Sequence, residues 1–313
     1  MAESLADQLL AKLEKASFID DEAPISRDYE PWILEPLIPF QSVTILDGLG
    51  GSGKSWFAMD LCYSIGLGQS FLGIFPTRRQ GPVMYFTAEE VPEIFIKRID
   101  MIRKYYPANK NFIWTSLLHE EFDGVNPSLC VEYGRTIIPS PFYDALEKRI
   151  SKVKPVLVVL DSLINFFELD ENSSKEARRF MEFLRRLTRK HKTSFLLLHH
   201  QNKEGMRTQG DDVISFRGSG VFREQSRSRI IYKNVNLGEG LYARKIILEK
   251  SNYFSKIREM IPEDGLYLKF EGGVHIYDRA FAEEAKKKEE EKKEKGKKKE
   301  NKSKGRGNNR ADL

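Results

Sequence analysis

The chain has 313 residues, 40% of them hydrophobic, and a formal net charge of +5 at pH 7, which allows a sizeable core and excludes a wholly disordered chain. Of its 51 Lys and Arg and 46 Asp and Glu, residues 282–313 hold 13 and 8, so residues 1–281 carry 38 of each sign, and net charge assigns that neutral body no polyanion partner. Two cysteines, Cys62 and Cys130, exclude a disulfide scaffold and a multi-cysteine zinc site and fit a cytoplasmic setting, while the absence of a run of about 18 apolar residues excludes a helical membrane span.

In chain order, Leu5, Leu9, Leu10, Leu13 and Phe18 recur at helical spacing and predict a short amphipathic helix. Asp20 to Pro39 carries four prolines, Pro24, Pro31, Pro36 and Pro39, and reads as an extended linker, so 1–39 is taken as helix plus linker. From residue 40 strands and helices alternate. Strands are expected at Ser42–Leu46, Pro82–Thr87, Asn111–Leu117, Val156–Leu160 and Ser194–Leu198, and helices at Ser55–Ile65, Glu93–Tyr105, Phe142–Val153 and Glu176–His191. The run VLVVL is continuously apolar, as expected of a strand buried on both faces of a parallel sheet. After a polar stretch, Asn202–Gly220, short strands at Arg229–Asn234, Tyr242–Glu249, Leu266–Glu271 and Val274–Tyr277 are separated by glycine turns. The expected fold is α/β, a mainly parallel sheet with antiparallel C-terminal strands over 40–281, followed by a Lys/Glu-rich tail, 282–313, expected to be disordered beyond a helical extension.

The strongest chemical signal is Gly48-Leu49-Gly50-Gly51-Ser52-Gly53-Lys54-Ser55, which fits G-x-x-x-x-G-K-[ST] between a strand and a helix. Its glycines let backbone N–H groups wrap a polyphosphate, Lys54 reaches the β- and γ-phosphates, and Ser55 can ligate Mg²⁺. Together with Trp56 these residues form the candidate ATP-binding segment. The same run contains G-x-G-x-x-G, but a dinucleotide pyrophosphate offers no γ-phosphate or metal for Lys54 and Ser55 to serve. Asp161, closing VLVVLD, is placed to hold the Mg²⁺ water shell, with a capping or turn Asp as the plain alternative. No second acid follows it, so the carboxylate that activates water is sought at Glu89 or Glu90, where PVMYFTAEE ends; Glu89 is favoured over the reading in which both acids only start a helix. His199, His200 and Gln201 close SFLLLHHQ, with a γ-phosphate sensor favoured over a structural polar role or a metal ligand.

The order GLGGSGKS, YFTAEE, VLVVLDSL, LLLHHQNKEG, FRGSG and LEKSNY resembles the RecA-like ATPases, in particular the branch with RepA-type plasmid replicative helicases, relatives of the DnaB-type ring helicases. The resemblance spans Pro36 to Phe254. It implies a homo-oligomeric ring, often a hexamer, with ATP at subunit interfaces. It places Lys54 and Ser55 on phosphate and Mg²⁺, Asp161 on the Mg²⁺ shell, Glu89 on water and His200 at the sensor. It implies loops over 202–217, with Lys203, Arg207 and Arg217, facing single-stranded DNA in the channel. Arg227 and Lys250 are the candidates that reach a neighbour's nucleotide, with Arg229 and Arg244 as alternatives. Any replication initiator or primase would belong to another chain. Against this motor stand a RecA-like switch ATPase without unwinding and a nucleotide-binding interaction protein with negligible turnover.

Overall fold

The computed structural model describes residues 5–16, 29–201, 220–252 and 260–307. Two units divide the chain, residues 1–30 and 31–313. In the first, helix α1 (Leu5–Ala16) forms where leucine spacing predicts it, with Leu9 and Leu10 exposed.

The second unit opens with β1 (Trp32–Leu34) and β2 (Ile38–Pro39), an antiparallel pair. This half of the expected linker belongs to the core: Ile33, Leu34, Leu37 and Ile38 are fully buried. The prolines that argue against helix permit extended backbone, and the apolar residues between them decide its burial. The elements that follow are β3 (Val43–Leu49), α2 (Lys54–Leu67), β4 (Val83–Thr87), α3 (Pro92–Ile102) and β5 (Phe112–Ser116). A hairpin of β6 (Cys130–Tyr133) and β7 (Thr136–Pro139) leads to α4 (Pro141–Val153). Then come β8 (Leu157–Asp161), α5 (Leu163–Phe166), α6 (Ser174–His191) and β9 (Ser194–Gln201). After the undescribed 202–219 follow α7 (Val221–Gln225), β10 (Ser228–Gly238), β11 (Leu241–Ser251), β12 (Leu266–Glu271), β13 (Val274–Ile276) and α8 (Arg279–Gly307).

Nine of these strands form one sheet in the order β13-β12-β11-β10-β3-β9-β8-β4-β5. From β10 to β5 every neighbour is parallel, and β10 to β13 are antiparallel. Alternation along the central strands explains the continuous apolar runs. Leu157 and Val159 of β8, with Leu196 and Leu198 of β9, join a core beneath α2 and α3. Val158 and Leu160, with Phe195 and Leu197, join a second core beneath α4, α6 and α7. Both faces are covered, so polar alternation has no place in these strands. Local signals fix the helix starts. Ser140 accepts from Tyr143 N with Pro141 in the first turn, and Ser173 accepts from Glu176 N.

Composition predicts disorder in 282–313 beyond a helical extension, and α8 carries that extension to Gly307. Ala285 is buried against Val235, Leu237 and Tyr267, Lys286 pairs with Asp264 at 2.6 Å, and Glu289 accepts from Lys245 at 2.9 Å and from Tyr267. A charge-rich segment without an apolar stripe is held here by a few anchors whose partners lie far away in the sequence.

A candidate nucleotide site at the sheet edge

The parallel strands β3, β4, β8 and β9 all end at one edge, and the chain folds back there through the glycine loop. Gly51 and Gly53 take positive φ, 70° and 101°, which a side chain tolerates poorly. At Gly48 a Cβ would sit 2.5 Å from the Tyr232 carbonyl oxygen, so this position admits no side chain without moving β10. Gly53 also starts α2, aiming the helix N-terminus and its free N–H groups at the loop.

Strand β9 lies between β3 and β8, which puts a side chain between the loop and the Asp161 strand. The register sets Gly48 opposite His200 and Asp161 opposite Thr87. The expected site residues therefore converge. Lys54 is buried, and its Nζ donates to the carbonyls of Gly48 (2.9 Å) and Leu49 (3.0 Å) and lies 3.2 Å from His200 Nδ1. His200 Nε2 lies 3.0 Å from Glu89 Oε1. These partners select the neutral imidazole with its proton on Nε2: Nδ1 then accepts from the ammonium while Nε2–H donates to the carboxylate. Glu89 also accepts from Ser162 Oγ, which takes a hydrogen bond from Asn165 Nδ2 at 3.1 Å. Asp161 is buried and accepts from Tyr85 Oη at 2.6 Å and from Ser55.

The electrostatics follow from burial and these partners. Burial lowers the Lys54 pKa, while Asp161, Glu89 and Asp47 work against the shift. The His200 hydrogen bond holds Glu89 below the usual carboxylate range; burial opposes it and Ser162 supports it. Burial pushes Asp161 up, against the hydrogen bonds from Tyr85 and Ser55. A carboxylate and a hydroxyl side by side, the former desolvated, suit a hard cation that favours the charged form of Asp161. Ser52 Oγ is buried without a hydrogen-bond partner, a donor that a phosphate oxygen would satisfy. The residues present fit a Mg²⁺-nucleotide, with Ser55 and Asp161 on the metal side and Ser52, Lys54 and the loop amides on the phosphates.

Other expected residues fall elsewhere. Trp56 turns from the loop and packs edge-on against Phe270 at 5.6 Å, beneath Arg98. Arg227 and Lys250 flank the start of β10, where Arg227 N donates to Val43 O at 2.9 Å. That is the opposite end of β3 from the loop, about 15 Å away at some 3.3 Å per residue, so neither serves its own chain's nucleotide. Lys250 Nζ donates to the carbonyls of Arg223 (2.9 Å) and Glu224 (2.7 Å). Arg229 is buried, paired with Asp47 and with Glu249 at 2.6 Å, and is thereby committed to its own chain. Arg244 lies over the Phe270 ring, 5.3 Å from its centroid. Lys203, Arg207 and Arg217 lie outside the described residues.

Two participants carry no motif of their own: Ser162 on Glu89 and Tyr85 on Asp161. The position of Ser162 directly after the strand-ending Asp161 was the available pointer. Beneath the loop, Asp47 accepts from Arg229 and lies 2.7 Å from His199 Nδ1, so the first histidine of the pair supports β3 while the second faces the site. Among the described residues no group of three or more His, Cys, Asp or Glu is gathered for a metal, and no helix is long and apolar enough to cross a membrane.

A P-loop, a buried strand-ending Asp bonded to the P-loop serine and a carboxylate one hydrogen bond from the P-loop lysine's partner meet at one edge of the sheet. Residues 7–206 match the family described as AAA domain, and the chain belongs to that family of P-loop ATPases.

Proposed function

We propose that the protein is a Mg²⁺-dependent ATPase motor of a ring-forming replicative DNA helicase that acts on single-stranded DNA. The observation that carries the reading is the continuity of β9: His200, at hydrogen-bond distance from both Lys54 and Glu89, stands three residues before Lys203, where the candidate DNA loops begin. A change at the γ-phosphate reaches Lys54 and Glu89 first, and through His200 it reaches the backbone entering those loops.

In this mechanism the loop amides, Ser52 and Lys54 hold the phosphates in line, and Ser55 and Asp161 hold Mg²⁺, which supplies charge neutralisation when bound. Glu89, kept ionised by His200 and Ser162, orients water and takes its proton. Exposed Ile94 and Met101 on α3, seven residues apart and close in sequence to Glu89, support docking of a second copy near the site, as a homo-oligomer of hexamer type requires. Arg227 is exposed at the far edge, in keeping with a contact to a neighbour's nucleotide.

The test is ATP turnover with and without single-stranded DNA, beside strand displacement and light scattering with ATP and Mg²⁺. DNA-stimulated turnover by an ATP-assembled oligomer that displaces a strand is expected. Turnover without DNA stimulation would replace the motor by a switch ATPase, and a concentration-independent monomer would remove the ring.

A further inference from the structure

Helix α6 is built unlike the other helices of the sheet. Its 18 residues include seven Lys or Arg and two Glu, and the cations are not scattered. At about 100° per residue, Lys175, Arg178 and Arg179 in its first half and Arg185, Arg186, Arg189 and Lys190 in its second share one arc of about 140°. Phe180, Leu184 and Leu187 fill the opposite side and are buried. Glu182, the acid within the arc, is engaged by Arg179 at 2.7 Å, and Lys190 is engaged by Glu147 of α4 at 2.8 Å. Among the described residues Arg178, Arg185, Arg186 and Arg189 have no carboxylate within ion-pair distance. Cations three and four apart repel one another on a helix, so folding alone gives no reason to collect them.

Two further features lie at the N-terminal end of this stripe. A cavity of about 680 Å³ opens between α6 and the β6–β7 hairpin, its lining including four cations, Arg135, Lys175, Arg178 and Arg179, and one acid, Glu182, the partner of Arg179. On the same hairpin Tyr133 pairs with Thr136 and is 76% exposed, the most exposed large hydrophobic side chain among the described residues. Arginine forks suit phosphate oxygens, and an exposed aromatic beside a cationic groove is a stacking platform for an unpaired base. Because α6 returns the chain from the end of β8 to the start of β9, the stripe runs from the nucleotide edge of the sheet to the opposite edge. It lies on the sheet face covered by α4 and α6, and it shares no residue with the nucleotide site or the 202–217 loops.

We propose that α6 and the β6–β7 hairpin form a second nucleic-acid surface, which holds the phosphate backbone of a single strand along the arginine stripe and a base on Tyr133. The inference goes beyond the motor reading, since it holds for a switch ATPase as well. A neutral body charge conceals this surface, because acids elsewhere in the chain cancel it in the sum.

The experiment is fluorescence anisotropy of the full chain with a labelled single-stranded oligonucleotide and with a duplex of the same length, each titrated across a range of salt. The triple variant Arg185→Gln, Arg186→Gln, Arg189→Gln is expected to bind the single strand at least tenfold more weakly. The slope of log affinity against log salt should shrink by about 2, from three lost contacts at about 0.7 each. Circular dichroism is expected to show an unchanged helix signal, because the changed residues lie on the solvent side. Tyr133→Ala, at a hairpin tip outside the core, provides an independent reading and should weaken single-strand binding severalfold while leaving duplex binding unchanged. Wild-type affinity and slope in the triple variant, or equal loss for duplex and single strand in Tyr133→Ala, would overturn the proposal. So would binding that moves to anionic phosphatidylserine vesicles in place of DNA. A variant with Lys203, Arg207 and Arg217 changed to Ala separates the two readings. Loss of DNA binding there with the α6 variant intact sinks this proposal alone, and the reverse sinks the channel loops alone.

Discussion

Replacing Glu89 by Gln keeps the volume of the side chain and exchanges a carboxylate for an amide at the centre of the site. The hydrogen bonds around it set the consequence. Glu89 accepts from Ser162 and faces His200 Nε2 at 3.0 and 3.2 Å; the amide oxygen can keep one of these donors, but the amide cannot take a proton from water. Its contact with the nucleotide-binding loop runs through His200 to Lys54, so ATP affinity should change little. General-base assistance is typically worth about 10²- to 10⁴-fold, which corresponds to roughly 3 to 5 kcal/mol in activation free energy. We therefore expect Glu89→Gln to bind a fluorescent ATP analogue near wild-type affinity while steady-state phosphate release falls at least a hundredfold. Acidification should reproduce the loss in the wild type only at low pH. Glu89 is held below the usual carboxylate range by His200, so it stays ionised through pH values at which an ordinary Glu titrates, and activity is lost as pH falls through its depressed pKa. Undiminished turnover in Glu89→Gln would refute the assignment and return the catalytic carboxylate to Glu90 or another residue.

Lys54→Ala should lower ATP affinity and turnover together, as titration and phosphate-release assays would show, because the ammonium serves ground-state phosphates as well as the reacting one. His275 is buried, with its Nδ1 3.1 Å from Asp60 Oδ2 and its Nε2 2.8 Å from Tyr232 Oη, and burial pulls its pKa below the ordinary value against the pull of Asp60. The unfolded chain therefore takes up this proton first, and its contribution to stability, full above the unfolded pKa near 6.5, is lost as pH falls through the lower folded value. Thermal melts should show this acid loss in the wild type and a weaker one in His275→Gln. Deleting 286–313 removes Glu289 from Lys245 and Tyr267 and should lower the melting temperature, whereas deleting 297–313 should leave it unchanged; equal melting temperatures would show that the α8 anchors contribute nothing.

The parts of this molecule legible in the sequence are those in which one local pattern has one physical meaning. VLVVL can be buried on two faces only in a covered sheet, and GLGGSGKS between strand and helix has few uses besides a phosphate loop. Asp161, Glu89 and His200 are legible for the same reason: each ends an apolar strand, and parallel strands end at a common edge. What sequence reasoning misses depends on partners distant in the chain. Ser162 and Tyr85 are ordinary until the register sets β4 beside β8. Arg229 looks available for a neighbour until Asp47 and Glu249 enclose it, and the proline-bearing residues 31–39 look like a linker until Ile33 and Leu37 are seen inside the core.

Charge is the sharpest case. Summed over the sequence, residues 1–281 are neutral, which supports no inference about polyanions. A sum discards direction, however, and a helix restores it: the cations of α6 fall on one side because the apolar residues between them are claimed by the sheet. Some of the acids that offset them in the sum, Asp47, Asp60, Glu89 and Asp161, lie in the interior or at the nucleotide edge, where each is engaged by a partner of its own. Neutrality of the body is then a sum over the whole chain, and it does not say on which side of a helix the cations fall. A polyanion approaching that helix meets Arg178, Arg185, Arg186 and Arg189, for which no carboxylate lies within ion-pair distance among the described residues, beside Glu182 and Glu147, which Arg179 and Lys190 engage.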